Sequence, residues 1–241
     1  MKNQTATGIL LLLMMLGSAC SSEKLSVKVP PEDTPRKPVT GPIKYVALGD
    51  STGVGVGARN GGYVARLFKR IKSAKPYSTL VNLCVSGAIT DDVIREQLER
   101  GIAAQPTLVT LGIGINDIGH GFNPERFAKN YEVILSRLRN ETSAAIVVTN
   151  IPDISTAPRI PQSVREGYHQ LIVVFNKRLE QIASRHNAEI FDVYNATHDQ
   201  LDSRPELFSA DGFHPSDEGY ELWAELMWPT IARTIGVASQ G

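Results

Sequence analysis

A serine, a histidine and an aspartate lie far apart in this chain, each where a turn would present it. Ser51 ends the tripeptide Gly49-Asp50-Ser51, directly after an apolar run, and Asp211 precedes His214 by three residues in Asp211-Gly212-Phe213-His214-Pro215. A serine hydroxyl becomes a useful nucleophile when a neutral imidazole takes its proton, and the imidazole needs an acceptor, usually a carboxylate, on its other nitrogen. Three residues is a spacing that lets Asp211 reach that outer nitrogen of His214. Acyl transfer also needs donors in place for the oxyanion of its tetrahedral intermediate. The candidates are the backbone N–H groups of Ser51 and Gly87 and the side-chain amide of Asn116. Glycine suits position 87 because a side chain would crowd the approaching carbonyl.

Four other histidines compete for the role of base. His169 and His186 fall in a long polar-faced helix and read as solvated surface residues, His198 sits beside Asp199 in a loop, and His120 lies near the presumed pocket within reach of a substrate. His214 is preferred for its spacing from Asp211 and its place before the last helix. Asp50 and Asp117 read as turn-holding residues, and Ser216 as the cap of the last helix with Asp217 and Glu218 favourable in its first turn. The histidines lack metal-ligand spacing, so no metal site is expected.

The stretch Gly53-Val54-Gly55-Val56-Gly57-Ala58 also fits a dinucleotide-binding pattern. That reading requires an acid about twenty residues beyond the glycines, at the end of the second strand. The residues there are Val85-Ser86-Gly87-Ala88, with Asp91 and Asp92 only at the start of the next helix. The glycines are read instead as a flexible loop from serine to helix, and no cofactor is expected.

Elements of the right kind surround these residues. Short apolar runs at Ile43–Leu48, Thr79–Val85, Leu108–Leu111, Ala145–Val148 and Glu189–Val193 read as strands buried on both faces. Between and after them, Phe127, Tyr131, Ile134, Leu135 and Leu138, then Leu171, Val174, Phe175, Leu179 and Ile182, then Trp223, Met227, Ile231 and Ile235 recur at helical spacing. Alternation of this kind predicts an α/β fold: a single flavodoxin-like, three-layer domain with a five-stranded, mostly parallel sheet and helices on both faces. In such sheets reactive groups gather at the carboxyl ends of the strands. Ser51, Gly87, Asn116 and the Asn150–Asp153 segment each follow one of the first four runs, and His214 precedes the last helix.

Four blocks in this order carry a resemblance: Gly49-Asp50-Ser51, Asn82 through Ser86-Gly87, Gly114-Ile115-Asn116-Asp117, and Asp211-Gly212-Phe213-His214-Pro215. Together they resemble the SGNH hydrolases, also called GDSL esterases and lipases, and the layout is similar to the bacterial thioesterase I/lysophospholipase group. The resemblance implies Ser51 as nucleophile, Asp211 and His214 completing a triad, and Gly87 and Asn116 beside the Ser51 N–H in the oxyanion hole. It implies a serine esterase acting through an acyl-enzyme on short-chain, carbohydrate acetyl or lysophospholipid esters. Thr52 stands where the family name has leucine, a variable position. The other function class is a catalytically idle ligand-binding lipoprotein on the same fold, against which the complete constellation argues.

The ends of the chain carry different information. Lys2, the apolar block Gly8 to Leu16 and the small residues Gly17-Ser18-Ala19 read as an export signal over 1–19, too short to span a bilayer. Cys20 follows directly, and Leu-Gly-Ser-Ala-Cys resembles a bacterial lipoprotein processing site, although Gly17 stands where a large aliphatic residue is usual. Residues 20–42 then read as a lipidated cysteine and a Pro-rich tether, leaving 43–241 for the hydrolase domain. The expectation is an exported protein of the bacterial cell envelope held to the membrane by its lipid; the alternative is a soluble secreted one. Of the 241 residues, 25 are Lys or Arg and 25 are Asp or Glu, a balance that excludes the basic field of a nucleic-acid binder. Cys84 is the only cysteine besides Cys20 and reads as a small core residue.

Overall fold

The computed structural model describes residues 39–238, so the export signal, Cys20 and most of the Pro-rich tether lie outside the described residues. Five strands form one sheet: β1 Lys44–Gly49, β2 Thr79–Asn82, β3 Leu108–Gly112, β4 Ala145–Thr149 and β5 Glu189–Phe191. Their order is β2-β1-β3-β4-β5 and every neighbouring pair is parallel. The sheet therefore has one topological switch point, between β1 and β3, where ligands of such sheets bind. Ser51 follows β1 and Asn116 follows β3.

The helices are α1 Ser51–Val54, α2 Tyr63–Ala74, α3 Thr90–Asp92, α4 Leu98–Ala103, α5 Ile115–Gly119, α6 Pro124–Glu141, α7 Arg165–Arg185, α8 Val193–Ser203 and α9 Asp217–Ile235. A π turn, Val93–Gln97, joins α3 to α4. Alternate residues of β1 enter opposite layers, as the two-residue period of a strand requires. Val46 and Leu48 pack with Phe127, Leu135 and Phe175 on one face, while Tyr45 and Ala47 pack with Leu67, Met227 and Ile231 on the other. Helices α6 and α7 thus cover one face and α2 and α9 the other, which makes three layers.

Two expectations about burial need correction. The central strands are buried throughout, but β2 is an edge strand only four residues long, with Thr79, Val81 and Asn82 exposed. In α7 the core row is Ile172, Phe175, Leu179 and Ile182, whereas Leu171 and Val174 are exposed. Both lie at helical spacing from the core residues, but on the flank of the packed face. No helix among the described residues is long and apolar enough to cross a membrane.

Candidate active site

Ser51 opens α1 immediately beyond the buried end of β1, and Asp50 caps that helix by accepting the Thr52 N–H at 2.9 Å. Burial pushes the Asp50 carboxyl up from its ordinary range, even though the Thr52 N–H and hydroxyl both donate to it. The turn is held from behind by Gln97. Its Oε1 accepts the Gly49 N–H at 2.8 Å and its Nε2 donates to the Gly49 carbonyl at 2.9 Å. Gln97 belongs to the π turn, a helical irregularity often found at functional sites.

His214 reaches Ser51 from the other end of the chain. Its Nε2 lies 3.0 Å from Ser51 Oγ, and its Nδ1 lies 2.6 Å from Asp211 Oδ2. With Nδ1–H donated to the carboxylate, Nε2 is the free acceptor for the serine proton. Asp211 Oδ1 meanwhile accepts the N–H groups of Phe213 and His214 and the Ser209 hydroxyl. Partial burial alone would raise the Asp211 carboxyl, but the donation from the His214 ring, from these two N–H groups and from Ser209 outweighs it. The carboxyl is held well below the usual carboxylate range. The segment is fixed at its base by the Phe208–Pro215 bridge, and Ser216 caps α9 by accepting the Gly219 N–H.

Gly87 and Asn116 follow β2 and β3, the two strands that flank β1. Asn116 Nδ2 donates to the carbonyl of Ala88 at 2.9 Å, which leaves its second amide hydrogen available. Asp117, fully buried, accepts both the N–H and the hydroxyl of Thr90, and Asn130 Nδ2 donates to that hydroxyl at 2.9 Å. These bonds staple the Gly87 loop to α5. Burial raises the Asp117 carboxyl to about 6. At Gly87 the φ of +79° is left-handed, which by itself favours glycine, and a Cβ there would meet no protein atom within 4 Å.

The glycine run is not a flexible loop. Gly55 ends α1 at φ +97°, and a Cβ there would lie 2.1 Å from the Gly62 nitrogen; a Cβ on Gly53 would lie 2.3 Å from Cys84 Sγ. The glycines let chain segments touch beneath the serine. Cys84 fills that space with a thiol pushed up by burial.

Three of the remaining histidines also differ from expectation. His169 and His198 both point Nδ1 at the buried Asp153 Oδ2, at 2.8 and 3.2 Å, and His198 belongs to α8 rather than to a loop. His186 Nε2 contacts Glu132 at 2.6 Å. The ring of His120 bonds back to the Asn116 carbonyl at the end of α5 and takes no part in the Ser51 constellation. The Asp153 cluster gave no sequence signal, because its members come from three separate elements. Gln97 had one: Val93, Gln97 and Gly101 follow at four-residue intervals and all are buried, so the glutamine is a polar residue in a core row. Among the described residues no group of three or more His, Cys, Asp or Glu side chains is placed to hold a metal.

Fold and site together define an α/β protein with a Ser–His–Asp constellation at the carboxyl edge of a parallel sheet, an arrangement suited to acyl transfer. The sequence profile of the GDSL-like lipase/acylhydrolase family matches residues 47–222. The chain belongs to that family and is an ester-hydrolysing enzyme. No curated protein sequence matches it. Among solved structures it is similar to Axe2, an acetylxylan esterase from Geobacillus stearothermophilus, at a TM-score of 0.67 and 21% identity, covering 85% of this chain and 100% of that one. It is also similar to LAE5, an α/β hydrolase from the metagenome of Lake Arreo, Spain, at 0.66 and 22%, covering 83% and 98%. The psychrotrophic esterase EstA from Pseudoalteromonas sp. matches at 0.65 and 20%, covering 80% and 99%. At these identities the likeness concerns the fold.

Proposed function

We propose that the protein cleaves carboxylic esters through a covalent acyl-enzyme on Ser51. The observation that carries this reading is the pair of contacts Ser51 Oγ–His214 Nε2 at 3.0 Å and His214 Nδ1–Asp211 Oδ2 at 2.6 Å. His214 takes the hydroxyl proton as Ser51 Oγ bonds to the ester carbonyl carbon, and the ionised Asp211 offsets the positive charge that forms on the imidazole. The Ser51 and Gly87 N–H groups and the Asn116 amide receive the oxyanion. When the carbon–oxygen bond breaks, His214 returns the proton to the leaving alcohol. Water, deprotonated by His214, then releases the acid and restores Ser51. The substrates in view are small-molecule, lipid or carbohydrate esters, and the enzyme works in the cell envelope, tethered through Cys20.

The test is Ser51→Ala in the purified protein, assayed on a simple aryl ester and with an active-site-directed phosphonate. Loss of several orders of magnitude in kcat is expected, together with loss of phosphonate labelling at residue 51, while the thermal transition is kept. Retention of most of the activity, with contaminating esterase excluded, removes Ser51 from the mechanism.

A further inference from the structure

Ser51 and His214 line a cavity on the side of β1 away from Gly87. Its wall includes Ile113 after β3, Ile151 after β4, Val193 and Leu201 of α8, and Trp223 of α9. Several polar side chains in the wall are already engaged with protein. The Asn150 amide donates to Asp192 at 2.8 Å while its carbonyl accepts the Tyr194 N–H at 3.0 Å, and the Thr197 hydroxyl donates to the Val193 carbonyl at 2.7 Å. A sugar hydroxyl entering here would give up water for few partners, whereas a hydrocarbon gives up nothing.

We propose that this cavity receives the acyl chain and selects esters of linear apolar acids longer than acetate; the proposal rests on the hydrolase reading above. Two halves of an ester compete for such a site. The alcohol must depart as soon as His214 protonates it, and so belongs on the open side. The acyl group stays bonded to Ser51 until water attacks, and a largely apolar pocket suits the half that stays. Leu201 is half-buried in the wall, at the margin of the core rather than inside it.

The experiment compares kcat/KM of the full protein on aryl esters of two-, four-, six- and eight-carbon acids, and on acetates of alcohols graded over the same range. Each methylene fully withdrawn from water can add up to about fourfold, so a gain of at least about tenfold from acetyl to hexanoyl is expected. The alcohol series should stay flat. Leu201→Trp should abolish the acyl gain, while Leu201→Ala should retain it. A wild-type preference for acetyl esters, a gain that follows the alcohol, or a chain-length profile unchanged by Leu201→Trp overturns the assignment. Acetyl preference in an enzyme that Ser51→Ala inactivates defeats only the pocket; activity that survives Ser51→Ala defeats the hydrolase reading itself.

Discussion

At Asp211 the two carboxylate oxygens are used differently, and that division accounts for the spacing of the motif. Oδ1 folds the turn by accepting the N–H groups two and three residues ahead, which leaves Oδ2 facing the His214 ring. The side chain that orients the base also builds the loop that carries it. Asp211→Asn should therefore cost roughly 10^4 in kcat, the order seen when such a carboxylate becomes an amide. The sign of the pH effect follows from the same bonds. Because the Asp211 carboxyl is held below the usual range, its contribution to stability is present above the ordinary carboxylate pKa and fades only as pH falls through the depressed value. Asp211 thus stays ionised through the working range and orients the His214 ring throughout it. His214→Ala should lower kcat by several orders of magnitude. If it keeps the rate, while His120→Ala or His198→Ala loses it, another histidine is the base.

Between residue and domain, the elements that hold the site in place were less legible than the site. Ser51, Gly87, Asn116, Asp211 and His214 were readable because each closes a short polar block after an apolar run or before a helix. The Asp117–Thr90 staple was not, because its members are 27 residues apart and a hydroxyl and a backbone N–H leave no pattern; Gln97 shows only as a polar residue in a core row, with nothing to mark Gly49, 48 residues away, as its partner. The exposure of β2 was hidden for a related reason: its composition resembles a central strand, and only the order of the sheet makes it an edge. Gln97→Leu removes both bonds to Gly49 and leaves a buried N–H unsatisfied, at a cost of about 1–3 kcal/mol. The larger effect should be on kcat, roughly tenfold to hundredfold, because a displaced serine misses the reacting carbon. A variant that loses stability but not kcat would show that the clamp serves folding alone. Asp117 supplies a stability test with a definite direction. Its carboxyl is raised from 3.8 to about 6, so the folded state binds a proton more tightly than the unfolded chain. Stability from this group is complete below the unfolded pKa and is lost as pH rises through about 6, by at most ~3 kcal/mol. Asp117→Asn removes the titration, so urea unfolding between pH 4 and 7 should show the stability of wild type falling relative to the variant as pH rises. A constant difference between the two would mean that Asp117 does not titrate in that window.

On the scale of the whole molecule, the described domain has a packed core on each face of its sheet and no helix long and apolar enough to cross a bilayer. The full chain carries 25 basic and 25 acidic residues, so it has no net field to draw it to an anionic surface. We propose that the protein is held at a membrane by the segment before the domain, where Cys20 follows the apolar block and prolines recur from Pro30 to Pro42. A single acyl chain binds a bilayer only marginally, whereas two or more make a stable anchor. The expected outcome is that the wild-type protein sediments with membranes and resists a high-salt wash, since its attachment is apolar rather than ionic. Cys20→Ser should move it to the soluble fraction with its specific activity on a soluble ester unchanged, because the site is built wholly from residues of the domain. Release of the wild-type protein by salt would point to an ionic attachment instead. Equal partitioning of wild type and Cys20→Ser would remove the thiol from the account and leave simple secretion, or retention of the apolar block, to explain where the enzyme works.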